Sequence, residues 1–141
     1  MKYVAWAMLS LGLLMVAVSA VEAQEPQQRE RVQLGQNYPN PFNPETTIPF
    51  TVPQRFFGSG RRPVVSLRVY NVLAQLVAIP IVQGSGEPLN NLQLVWNGTG
   101  RYSAYWDGKV LGTNREAASG VYVYQLVVDG ERSTAKMTII K

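Results

Sequence analysis

From Thr46 onward apolar and polar residues alternate with a period of two, the mark of half-buried β-strands. No helical period of 3.6 appears beyond residue 23. Thr46–Val52 sets Ile48, Phe50 and Val52 on one face and Thr47, Pro49 and Thr51 on the other. Pro49 has no N–H to give to a ladder, so this strand is expected at an edge. Arg55–Pro63 reads as a loop rich in Gly and Arg. Val65, Leu67 and Val69 then alternate with Ser66, Arg68 and Tyr70. Gln75–Val82 is expected as one strand, with Pro80 again marking an edge. Leu92, Leu94 and Trp96 share a face, Asn97-Gly98 turns the chain, and Tyr102, Ala104 and Trp106 share a face of the next strand. Asp107-Gly108 opens a loop that ends near Ser119-Gly120. Val121–Val128 is rich in β-branched and aromatic residues. Asp129-Gly130 is a two-residue type I′ hairpin signal, and Arg132–Ile140 is its partner strand, with Met137 and Ile139 inward. Seven short strands, about 10–15 residues apart, predict an all-β fold, an immunoglobulin-like antiparallel β-sandwich.

Ahead of these strands, Leu34–Pro44 reads LGQNYPNPFNP, with three prolines and three asparagines. It suits neither a helix nor a central strand. Tyr38 and Phe42 are expected to peg it to the sandwich. Gln24–Gln33 is polar, without apolar period, and reads as a flexible tether. Earlier still, Lys2 precedes a run from Val4 to Val18 that is apolar apart from Ser10 and Gly12, and Val21-Glu22-Ala23 places small residues before Gln24. This is the layout of a secretory signal peptide cut between Ala23 and Gln24, with a retained anchor helix as the alternative. The run is shorter than the ~20 residues that span a bilayer. The expected organisation is a signal peptide over 1–23, a tether over 24–33 and one domain over 34–141.

Composition narrows the chemistry. The 141 residues contain no Cys and no His, which removes thiol nucleophiles, His bases, lipoprotein acylation and most zinc sites. Outside the leader the acids are Glu25, Glu30, Glu45, Glu87, Asp107, Glu116, Asp129 and Glu131, with no spacing that suits paired catalytic carboxylates or a calcium loop. Asp107 and Asp129 each precede Gly, where Asp favours a turn. An enzyme, a cofactor and a small-molecule substrate are therefore not expected. The net charge of +4 comes from scattered basic residues, so nucleic acid is not expected as a partner. Arg55, Arg61 and Arg62 cluster in one loop, which reads either as an anionic contact or as a solvated segment. Tyr105 lies out of phase with Trp106 and is expected to be exposed. Asn97-Gly98-Thr99 matches a glycosylation sequon and equally a turn.

Three blocks carry a resemblance. They are LGQNYPNPFNPETTIPF (34–50), VSLRVYNVLAQLV (65–77) and YWDGKVLGTNREAASGVYVYQLVVDGERSTAKMTIIK (105–141). Together they resemble the type A C-terminal sorting domain of the type IX secretion system, a relative of the Ig-like domain of the flagellar hook-capping protein. The matching positions are Asn37, Tyr38, Pro39, Asn40, Pro41, Phe42, Asn43 and Pro44, then Trp106-Asp107-Gly108, then Ser119-Gly120-Val121-Tyr122. The terminal Lys136, Met137, Thr138, Ile139, Ile140 and Lys141 match the family's sorting segment. The family commonly has Gly where this chain has Ala74, and a shorter link between Val77 and Trp106 than the one that holds Pro80–Gly100.

The resemblance implies export in two steps: through the inner membrane by the signal peptide, then by the type IX translocon to the cell surface or the medium. It also implies a sortase-like peptidase and surface lipopolysaccharide as partners, and a terminal strand that offers an edge for β-augmentation. In the family the domain follows a large cargo; here the tether joins it directly to the leader. The alternative is an Ig-like structural or adhesive module that associates with itself through edges such as Thr46–Val52.

Overall fold

Side chains with period two fold into strands because alternate residues can then leave water together. In a computed structural model, which describes residues 31–141, this pattern closes into two facing sheets. The signal peptide over 1–23, its cleavage site at Ala23–Gln24 and the tether up to residue 30 lie outside the described residues. The strands are β1 (Gln33–Leu34), β2 (Thr46–Thr51), β3 (Val64–Tyr70), β4 (Leu76–Ala78), β5 (Ile81–Val82), β6 (Leu92–Gln93), β7 (Arg101–Trp106), β8 (Gly120–Val128) and β9 (Glu131–Ile139). One sheet has the order β1-β2-β7-β5 and the other β4-β3-β8-β9, with β6 also on β3. All the strand ladders are antiparallel, and the fold is an immunoglobulin-like β-sandwich.

On β2, β3, β7 and β9 the inward residues are those the alternation picked out. Ile48 and Phe50 of β2, Val52 just beyond it, Val65, Leu67 and Val69 of β3, and Met137 and Ile139 of β9 are all buried. Tyr122, Tyr124, Leu126 and Val128 line the inner face of β8, and Ala104 and Trp106 that of β7. Each such aliphatic or aromatic side chain contributes about 1.5–3 kcal/mol when taken from water. The Asp129-Gly130 hairpin has φ of 46° and 87°, the two positive values a type I′ turn requires.

Four expectations are corrected. Gln75–Val82 is not one strand. It breaks at Ile79-Pro80, so that β4 pairs with β3 in one sheet and β5 with β7 in the other. Pro80 lacks the N–H that would continue a ladder, and it sits at the corner where the chain changes sheets. Leu92–Trp96 keeps only Leu92 and Gln93 in a ladder. The Arg55–Pro63 loop contains a 3₁₀ segment, Gln54–Gly60, that buries Phe56 and Phe57. The tether ends one residue early, since Gln33 already pairs with Thr51.

The Pro80–Gly100 insertion joins the core rather than looping out. Leu89 is fully buried, its N–H donates to Pro80 O at 2.9 Å, and its carbonyl accepts from Leu67 N–H at 2.9 Å. With β6 and β4 it covers the edge of β3 that faces away from β8.

Candidate recognition surface

The Pro-rich segment forms a strap along one open side of the sandwich. At its start β1 pairs with β2, and Gly35 N–H donates to Pro49 O at 2.8 Å. Pro49 therefore sits where β2 needs only an acceptor, which explains a proline there. The expected edge position of Thr46–Val52 is corrected: β2 lies between β1 and β7, and Tyr38 of the strap pairs with Thr47 on its outer side. Further along, Gln36 Nε2 donates to Lys136 O at 3.0 Å, Thr138 N–H to Asn40 Oδ1 at 3.1 Å, Phe42 N–H to Thr138 O at 3.1 Å, and Ile140 N–H to Phe42 O at 3.2 Å. The strap thus runs parallel to the end of β9 and ties the two sheets together.

A buried polar hub holds the strap in shape. Asn37 is 2% exposed. Its side-chain amide donates to Pro39 O at 3.2 Å and to Thr46 Oγ1 at 3.1 Å, and its backbone N–H donates to Tyr124 Oη at 3.2 Å. Tyr124 Oη in turn donates to Gly35 O at 2.8 Å, and Thr46 Oγ1 to Pro39 O at 3.1 Å. Among the described residues no buried side-chain polar atom lacks a partner. Burial pushes the Tyr124 phenol above its ordinary pKa, against a smaller opposing effect of the Asn37 backbone N–H.

Of the two expected pegs, Phe42 is one and Tyr38 is not. Phe42 is buried with its ring edge-on to Trp106 at 5.4 Å, whereas Tyr38 is 56% exposed, its backbone paired with Thr47. Asn37 takes the inward place that the sequence suggested for Tyr38.

The other matched positions converge on the same end of the sandwich. Trp106 packs between Phe42 and Tyr122, and its indole N–H donates to Lys109 O at 3.0 Å. Gly108 has φ 78°, and a Cβ there would run into the carbonyl of Pro44, so only Gly fits. Ser119 Oγ accepts from Lys141 N–H at 3.1 Å, and Tyr122 Oη donates to Ala118 O at 2.7 Å. Lys141 Nζ lies 3.5 Å from Glu116. Gly120 pairs with Ile139 and Val121 with Thr138. Residues Asn37–Pro44, Trp106–Gly108, Ser119–Tyr122 and Lys136–Lys141 therefore build one end, called the motif end below.

No family model, curated protein or solved structure matches this chain. The site is thus argued from its own geometry.

The expected free edge of the last strand is corrected by that geometry. From Lys136 to Ile140 the outer backbone groups of β9 are held by the strap, apart from the Lys136 N–H, so strand addition there requires the strap to leave. Sequence pattern missed this contact because it joins residues 98 apart, beyond any local period. The Arg cluster at the opposite, hairpin end is partly tied down: Arg55 lies 2.9 Å from Glu131 and Arg61 lies 2.7 Å from Asp129. Asp129 Oδ1 also accepts from Val64 N–H at 2.9 Å, so this carboxylate anchors the start of β3.

Among the described residues, no group of three His, Cys, Asp or Glu side chains is placed to hold a metal. A shallow open cleft of about 230 Å³ lies beside Tyr105, Asp107 and Lys109. Tyr105 Oη is hydrogen-bonded to Glu45 Oε2, which pushes the phenol up to about 12, with smaller contributions from desolvation and from the charges of Glu45 and Asp107. This ties the Tyr105 side chain to the residue just ahead of β2.

Proposed function

We propose that the chain is a non-enzymatic exported protein, a stand-alone type IX sorting domain that the outer-membrane translocon recognises for secretion or surface attachment. One observation supports the reading above the others. The matching positions Asn37–Pro44, Trp106–Gly108, Ser119–Tyr122 and Lys136–Lys141, scattered over about a hundred residues of sequence, meet on one end of the fold. A recognised surface needs its parts side by side, and core packing alone does not require them to share an end. The sortase-like peptidase and the lipopolysaccharide attachment belong to the same reading. Because the strap occupies the edge of β9, the receptor reads the docked strap and strand as one shape, with Lys136 and Lys141 as its charged points.

The experiment is localisation of a tagged chain in cells with and without the translocon. Deleting Lys136–Lys141 removes the buried Met137 and Ile139, so an unfolded product is the simplest result. The cleaner variant is Lys136→Glu with Lys141→Glu, both exposed. The wild-type chain is expected at the surface and the double variant in the periplasm, with circular dichroism unchanged. Surface display of a folded double variant, or of the wild type without a translocon, overturns the proposal.

A further inference from the structure

The exposed hydrophobic residues are segregated. Among the described residues, all the large exposed ones except Val64 and Val95 lie at the motif end. Val72 and Leu73, at the tip of the β3–β4 turn, are 77% and 74% exposed. The turn is rigid, since Asn71 Oδ1 accepts from Leu73 and Gln75 N–H, each at 3.0 Å. Leu76 pairs with Tyr70, and Tyr70 with Val123. Val123 lies two residues from the exposed Val121, so the β3–β4 turn that carries Val72 and Leu73 begins beside the start of β8. Leu111 joins from the side, its N–H donating to Val77 O at 2.8 Å, and Ile140 continues the face beyond Thr138.

Charge is segregated with them. Lys109, Lys136 and Lys141, all the lysines among the described residues, stand at this end with Arg115. Lys136 is directly across from Val123. The carboxylates at this end are Glu45, hydrogen-bonded to Tyr105, Asp107, which accepts from Lys109 N–H at 3.0 Å, and Glu116, 3.5 Å from Lys141 Nζ, so four basic side chains stand against three acidic ones. The chain ahead of Gln33 enters at the hairpin end, where Gln33 pairs with Thr51, and so on the far side of the molecule.

From this arrangement we infer that the motif end is a membrane-docking surface that seats Val72 and Leu73 among the acyl chains of an anionic bilayer. Composition decides for lipid over a protein partner. Protein interfaces concentrate their energy in Trp, Tyr and Arg, with Leu and Val under-represented. This surface offers protruding aliphatic side chains ringed by lysines, whose stems bury while their ammonium groups reach head-group phosphates. The inference does not rest on the sorting proposal, since lipid binding requires no translocon.

The test uses the absence of cysteine from the whole sequence. An environment-sensitive fluorophore is placed in the full chain on Leu73→Cys, and in a second sample on Gln93→Cys at the hairpin end. Vesicles of equal parts phosphatidylcholine and phosphatidylglycerol are added, with brominated acyl chains in a parallel set. The label at 73 is expected to shift to the blue and be quenched by bromine, while the label at 93 does neither. A third label, on Leu111→Cys, loses about tenfold or more of its response when Val72→Asp and Leu73→Asp are added. Silence at 73, or equal responses at 73 and 93, overturns the inference. A shift at 73 that follows protein concentration without vesicles also overturns it, and assigns the surface to a second copy of the chain.

Discussion

Single atoms decide much at the strap. The Tyr124 hydroxyl serves Gly35 O and Asn37 N–H together, inside the core. Tyr124→Phe keeps the ring and removes the atom, leaving both backbone groups without that partner. The expected cost is about 1–3 kcal/mol of stability in denaturant unfolding, with packing unchanged. Tyr105 makes a prediction at high pH. Its phenol ionises near 12 in the fold against 10.0 for the free group, so the folded chain holds the proton more tightly. The stabilisation is complete below pH about 10 and is lost as pH climbs toward 12. Among the phenols that titrate late, spectrophotometric titration is expected to show one that Glu45→Gln moves down toward 10.0, with a shallower alkaline loss of stability.

At the level of elements, alternation was the readable part. The inner faces of β2, β3, β7 and β9 follow from it, because burial on one side and water on the other leave the same period in sequence and in space. The β3–β4 turn carries strain at one residue. Ala74 has φ 60°, the left-handed region where Cβ meets the following carbonyl. Ala74→Gly is expected to raise stability by about 0.5–1 kcal/mol in the same unfolding assay, the relief of strain exceeding the entropy cost. Other elements were less legible. The split at Pro80 and the inward plug of Leu89 depend on which sheet each neighbour joins, and a local pattern does not carry that. Asn37 was likewise visible only as part of a motif; its burial follows from Thr46 and Tyr124, which reach it from other strands.

The whole molecule has two unlike ends. The hairpin end receives the preceding chain and holds paired arginines and acids. The motif end gathers the matched blocks, the exposed aliphatic residues and the lysines. This polarity gives the proposed recognition its geometry, because β1 begins at the end opposite the one that a receptor or a membrane would approach.

The strap has a mechanical consequence. It lies parallel to β9, entering at the hairpin end while β9 leaves at the motif end. A load applied between the chain ahead of Gln33 and the chain beyond Ile139 pulls the two segments in opposite directions along their length. Their hydrogen bonds are then strained together in shear rather than opened one after another. The fold is braced along the line on which traffic through a narrow passage would stretch it, and it yields most readily to a sideways pull that lifts Gln33 from Thr51.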